Sequence, residues 1–299
     1  MPAAWRAAAL SVPLLLCGCG RASIFSPVGP VADANRTILL NALTIMMAIG
    51  LPTIIAALAF AWWYRAGNTK ATYDPEFVYS GRIELIVWSI PILVIMFLGG
   101  VVWVGSHQLD PARPLASKAP PLEVQVIALD WKWLFIYPAQ GVASVNDLVV
   151  PAGVPVHFSI TSASVMNSFF IPRMGSMIAA MHGMQTDLNL RADRIGTFYG
   201  QSAQFSGDGF SDMNFAVHSV PPVQFAAWAA KTRNSGPVLD ARAYFQLSRQ
   251  SQNVKPYTYR AVTPGLFQSL ISERLPPAPG PQTGRGGADV SPVTPGGQE

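Results

Sequence analysis

Hydrophobic and polar positions divide the chain into stretches of different rhythm. Thr37 to Tyr64 is a run of 28 residues without a charge, and Leu85 to Leu109 is a second run of 25. Each exceeds the roughly 20 residues a helix needs to cross a hydrocarbon core of about 30 Å. The pattern therefore predicts membrane-spanning helices over 37–64 and 85–109, joined by a loop over 65–84. Pro52 and Pro91 fall inside these spans, where neighbouring groups must satisfy the carbonyls that a proline leaves free. Trp62, Trp63, Tyr64 and Trp103 suit an interfacial aromatic belt. Small residues in the first span, among them Ala42, Gly50 and Ala57, suit close helix packing, though the ordinary composition of a lipid-facing helix explains them nearly as well.

Beyond Leu109 the rhythm changes. Residues 110–121 contain four prolines and read as a stiff linker. Short apolar segments then follow at turn-separated intervals: Leu122 to Leu129, Trp133 to Tyr137, Asp147 to Pro151, Pro155 to Thr161, Thr197 to Tyr199 and Met213 to Val220. This spacing predicts an antiparallel sandwich or barrel over 122–221. Helical apolar spacing returns at Val223 to Lys231 and Leu266 to Leu275, so 222–275 reads as a helical C-terminal extension. The Pro- and Gly-rich tail, 276–299, is expected to be disordered.

Composition supports this division. Half the residues are apolar and only 12% are charged, a balance typical of membrane proteins. The formal net charge is +4 and the basic residues are scattered singly, which excludes a nucleic-acid-binding stripe. Both cysteines, Cys17 and Cys19, lie at the N-terminal end, so the exported part would hold no disulfide. Residues 1–18 read as a lipoprotein signal peptide, with Arg6, an apolar run from Ala7 to Leu16, and a processing box ending at Cys19. Cys19 is then the lipid-bearing N-terminus, Gly18 being a better preceding residue than the Leu16 before Cys17; an uncleaved anchor helix is the alternative. Residues 19–36 would follow as a periplasmic segment. Lys and Arg in the flanking loops do not decide orientation, whereas export of the signal peptide would place everything after about residue 110 outside.

Few residues offer chemistry. Glu84 stands beside the second apolar run, where a carboxyl group at the membrane edge is a functional candidate and also an ordinary helix N-terminal acid favoured by the macrodipole. His107, His157, His182 and His218 lack the pair spacings of zinc or copper motifs. Met174, Met177, Met181 and Met184 read as packing residues. No nucleophile–base–acid arrangement, phosphate loop or paired carboxylate motif is present, so this chain alone is expected not to be catalytic.

The most informative stretch is Gly200-Gln-Ser-Ala-Gln-Phe-Ser-Gly-Asp-Gly-Phe-Ser-Asp-Met213. It resembles the binuclear copper loop of subunit II of heme-copper respiratory oxidases with its ligands replaced. The cysteine positions hold Ser202 and Ser206, the loop histidine position holds Phe210, and the upstream histidine position holds Asn167. Only Met213 and the carbonyl of Gln204 remain. Thiolates and imidazoles suit a copper pair, whereas serine hydroxyls keep their protons and bind copper poorly. The resemblance narrows to subunit II of the bo-type ubiquinol oxidases, which lack this copper. It implies two transmembrane helices, a periplasmic cupredoxin-like β-sandwich and a helical extension in a bacterial inner-membrane complex. It also implies partner subunits I, III and IV, membrane lipid around the helices, and no cytochrome c. Heme b, heme o (or heme a) and one copper would sit in subunit I, with ubiquinol as the substrate of the complex and no cofactor in this chain. Glu84 aligns with the glutamate at the mouth of a proton pathway. Asp130-Trp-Lys-Trp133 resembles the aromatic segment near the electron-input patch of copper-bearing relatives; without copper, its indoles are expected to pack and Lys132 to be exposed. The alternatives are a copper-bearing subunit II, which the replaced ligands oppose, and a freestanding lipoprotein.

Overall fold

The computed structural model describes residues 24–280 except 73, 118 and 279. The predicted signal peptide, Cys19 and residues 281–299 lie outside the described residues. The chain forms two compact units, Ala34–Asp110 and the combination of Met1–Asp33 with Pro111–Glu299.

Two helices account for the first unit: α1 (Pro30–Trp63) and α2 (Gly81–Gln108). Both start earlier than the apolar runs, at 30 instead of 37 and at 81 instead of 85. Charge-free runs mark the hydrocarbon, whereas a helix continues through polar residues as long as its backbone bonds close. Pro30 is compatible with a helix start because its missing N–H would find no partner in the first turn, and Ser80 precedes α2 in extended conformation. Their apolar side chains are largely uncovered, as with Leu58 at 66% and Ile95 at 69% exposure. Gly105 is the buried residue of α2; a Cβ there would lie 2.8 Å from Ile38 Cδ1, so glycine lets α1 approach. Past the end of α1, Arg65 Nη1 donates to Trp62 O at 2.8 Å and Asn68 Nδ2 to Trp63 O at 2.6 Å, satisfying carbonyls that the helix leaves open.

The second unit is a sandwich. Its first sheet runs in the order β12 (Tyr257–Tyr259), β3 (Val142–Val145), β2 (Lys132–Tyr137), β1 (Leu122–Leu129), β5 (Pro155–Ser162), β8 (Thr186–Arg191). The second runs β4 (Asp147–Pro151), β10 (Asn214–Val220), β9 (Gly196–Ser202), β6 (Asn167–Phe170), β7 (Met177–Ala180). Neighbours are antiparallel except β1 with β5 and β4 with β10, where intervening strands carry the chain across to the other sheet. Inward residues of both sheets form the main core, in which Phe169 stacks on Phe215 with ring centroids 5.4 Å apart and meets Trp133 edge-on at 5.3 Å.

β2 is buried at every position because the sheet is covered twice. Trp133, Phe135 and Tyr137 face the main core, while Leu134 and Ile136 face a second core made with the C-terminal extension. That extension was expected to be helical. It contains α3 (Pro222–Arg233), α4 (Ala241–Leu247) and α5 (Leu266–Ile271), but also β11 (Val238–Leu239), β13 (Ala261–Val262) and the edge strand β12. These strands are too short for a two-residue period to register in the sequence. The expected disorder from 276 also begins too early: Ala278 N donates to Ala163 O at 2.8 Å and Gly280 N to Asp130 Oδ2 at 2.9 Å. Pro and Gly exclude regular elements but leave single backbone bonds available.

The segment before α1 is tied to the sandwich as well. Val28 N donates to Arg173 O, Asp193 N donates to Val28 O, and Arg173 Nε donates to Ser26 O, at 2.8, 2.7 and 2.8 Å. Val28 and Val31 join the main core. Gly29 is required at this crossing, since a Cβ there would sit 1.8 Å from Arg191 O.

Candidate functional site

The residues at the copper-ligand positions converge at one end of the second sheet. β9 ends at Ser202, which pairs with Phe169 of β6, and Asn167 begins β6. The chain then loops through Gln204 and Ser206 into a single 3-10 turn, Phe210–Asp212, before Met213 leads into β10. Ser202 N donates to Met213 O at 3.0 Å and Ala203 N to Ser168 O at 3.1 Å, so main-chain bonds close the loop.

Inside it, a neutral hydrogen-bonded cluster fills the ligand positions. The Ser202 hydroxyl has Asn167 Oδ1 and Gln204 O as acceptors at 3.2 and 3.3 Å, while Asn167 Nδ2 donates to Val165 O at 3.2 Å. Ser206 Oγ lies 4.0 Å from Met213 Sδ. Asn167, Ser202, Ser206 and Met213 are all buried. Phe210 is half-buried and meets the exposed Phe205 ring edge-on at 5.7 Å. The sequence thus brings the expected positions together, and their chemistry does not fit a copper pair: two hydroxyls, a carboxamide and a phenyl ring replace thiolates and imidazoles.

The Asp130–Trp133 hairpin packs against this loop. Trp131 takes a left-handed φ of 64° in the two-residue turn between β1 and β2, and its Nε1 donates to Ser206 O at 3.0 Å. Gly209 permits the contact, because a Cβ there would lie 2.4 Å from the indole Cδ2. Lys132, expected to be exposed, is buried. Its Nζ donates to Arg249 O at 2.7 Å, Ser251 Oγ at 2.6 Å and Asp130 O at 3.3 Å. The C-terminal extension covers this face of β2, so a lysine alternating outward enters the second core instead of water. Desolvation lowers the Lys132 pKa to about 8, against the opposing charge of Asp130. Asp130 is buried too; it accepts from Ser164 Oγ and Gly280 N. Its pKa is raised by desolvation, against those bonds and the Lys132 charge. Sequence reasoning missed this pair. The one signal available was the placement of both charges inside an otherwise apolar stretch.

Glu84 stands in the first turn of α2. Its Oε2 accepts from Trp88 Nε1 one turn on, at 3.1 Å, and the residue is exposed. The histidines are dispersed. The His107 ring lies 4.4 Å from that of Trp103, tilted by 39°; His182 Nδ1 lies 3.2 Å from Ser162 O. His157 sits 3.6 Å from Asp187, and His218 sits 3.1 Å from Asp147. Among the described residues no group of three His, Cys, Asp or Glu side chains is arranged to hold a metal ion.

Comparison with known proteins adds an independent finding. The family profile described as "Cytochrome C oxidase subunit II, periplasmic domain" matches residues 123–220. The ubiquinol oxidase subunit 2 of Acetobacter aceti is 46% identical over 270 residues, 90% of this chain and 87% of the relative. The cytochrome bo(3) ubiquinol oxidase subunit 2 of Pseudomonas aeruginosa is 45% identical over 264 residues, 88% of this chain and 80% of the relative. That of Pseudomonas putida is 44% identical over 260 residues, 87% and 82% of the two chains.

Proposed function

The chain belongs to the subunit 2 family of ubiquinol oxidases, and from that premise we propose that it serves a proton-pumping quinol oxidase without carrying electrons itself. The observation that carries the second half is the ligand cluster: Ser202 bonded to Asn167 Oδ1 and Gln204 O where soft donors would be needed. A subunit with that loop has no acceptor for electrons from cytochrome c. Quinol oxidation and oxygen reduction to water then fall to subunit I, with its heme b, its heme o or heme a, and one copper.

Within such a complex this chain braces subunit I and covers its outer face, in contact with subunits III and IV as well. Helices α1 and α2 expose apolar surface that lipid and partner helices cover. Glu84 supplies a carboxylate at the cytoplasmic end of α2, where Trp88 Nε1 holds one oxygen and the other remains available to take up a proton. The sandwich is periplasmic, with Cys19 as a lipid-bearing N-terminus.

Purification of the complex through a tag on this chain, followed by oxygen uptake with ubiquinol and separately with reduced cytochrome c, tests the reading. Cyanide-sensitive uptake with quinol alone is expected. Uptake with cytochrome c, or two coppers bound to this chain, would overturn it, and absence of any co-purifying heme protein would favour a freestanding lipoprotein.

A further inference from the structure

The hairpin that packs on the loop 200–213 also contacts the C-terminal extension. Trp131 grips the loop through Ser206 O and the indole face over Gly209. Its neighbours in sequence grip the C-terminal extension: Lys132 Nζ donates to Arg249 O and Ser251 Oγ, and Asp130 Oδ2 accepts from Gly280 N. Gln250 Nε2 closes the ring by donating to Gly280 O at 2.6 Å. Asn146 adds a further link, accepting from Trp133 N and donating from Nδ2 to Val254 O, both at 2.8 Å.

We propose that the Asp130–Trp133 hairpin is a clamp through which the docked C-terminal extension, in place of copper, orders the loop 200–213. The physical reason is that the hairpin's buried polar groups cannot be satisfied by the sandwich alone. Two of the three Lys132 Nζ acceptors, and one of the two hydrogen-bond donors to the Asp130 carboxylate, belong to residues 249–280. If the extension lifts, the ammonium must either stay buried with one carbonyl or swing out to water. A buried ion left short of partners is strongly disfavoured, so the hairpin moves with it. Trp131 is the adjacent residue in a two-residue turn and cannot keep its place on Ser206 and Gly209 while that turn rearranges. Coupling of this kind is reciprocal between the two ends. The inference rests on the reading that this loop binds no copper.

Hydrogen exchange read by mass spectrometry on the intact complex tests it, comparing wild type with Lys132→Met. Exchange should quicken about fivefold or more, the factor expected from one net hydrogen bond, in residues 249–259 and also in 203–213. Strands β5 and β8 should stay unchanged. Faster exchange confined to 249–259, no change in either segment, or an equal rise across the whole sandwich would each overturn the clamp. Should Lys132→Met fail to assemble, Gln250→Ala, which removes one bond within the extension, decides by the same criterion. Copper content and ubiquinol-driven oxygen uptake of the same preparations report separately on the copper-free reading, so the two failures are distinguishable.

Discussion

Replacing Lys132 by methionine keeps an unbranched side chain one atom shorter and removes the charge, so the pH dependence of the difference reports what burying the ammonium costs. The folded chain holds this amine at a pKa of about 8 against an ordinary value of 10.5. That difference corresponds to about 3.4 kcal/mol, at roughly 1.36 kcal/mol per unit. Between the two values the unfolded chain binds more protons than the folded one, so stability rises with pH through this window and is lost again as pH falls through about 8. Integrated to about pH 9.5, the wild-type gain over neutral pH is about 2 kcal/mol. The methionine variant lacks the titrating group and should show none of that component. At neutral pH the two should lie closer together than at about pH 9.5, because relief from charge burial then offsets much of the cost of leaving Arg249 O, Ser251 Oγ and Asp130 O without their donor, about 1–3 kcal/mol for each acceptor left buried. Urea midpoints of the detergent-solubilised protein, measured by pulse proteolysis from about pH 7 to 9.5, give the difference between wild type and variant at each pH. A difference that stays constant within about 0.5 kcal/mol over that range would refute the burial argument, since a well-solvated lysine has no reason to titrate there.

Three further outcomes are expected. Glu84→Gln should slow oxygen reduction while leaving the complex assembled; unchanged turnover together with unchanged heme reduction kinetics would remove Glu84 from proton uptake. Phe169→Ala opens the centre of the aromatic core, where the ring meets Trp133, Phe158 and Phe215 within 5.4 Å between centroids, and should cost about 3–5 kcal/mol, read as a fall in the urea midpoint. Gly200→Ala places a Cβ 2.2 Å from the Phe215 ring and should lower the same midpoint through overpacking by about 1–3 kcal/mol, with an unchanged midpoint showing that the ring can move aside.

Much of this architecture was legible because the signals are periodic or compositional. Charge-free runs located α1 and α2, and short turn-separated apolar segments located β1, β2, β4, β5, β9 and β10. Ser202, Ser206 and Phe210 could be aligned because the glycines and Met213 preserve the spacing of the loop, and Asn167 because the segment from Asn167 to Pro172 keeps its own pattern. What escaped was set by contacts distant in sequence. Lys132 alternates outward along β2 as a solvent-facing lysine would, and only the covering extension, more than 100 residues later, turns that position into an interior one. Likewise nothing near Val28 announces that residues 26–32 will lace onto Arg173 and Asp193. The boundaries of α1 and α2 shifted for a local reason, since hydropathy reports the solvent a residue prefers and not where its backbone bonds begin.

The bonds among Asn167, Ser202 and Gln204 also explain why this cluster is polar and not simply filled with apolar side chains. Ser202 sits at the end of β9, where its hydroxyl reaches Gln204 O and Asn167 Oδ1 and receives Ser168 N at 3.5 Å. An alanine there would leave that amide oxygen without its donor in a buried place, at a cost of about 1–3 kcal/mol. Substituting Asn167 alone would remove an acceptor for Ser202, and a larger apolar residue at Ser206 would press on Met213 Sδ. Each position is therefore constrained by the others. Copper binding would need at least Ser202, Ser206, Phe210 and Asn167 changed together, because no one cysteine or histidine introduced alone completes a ligand set.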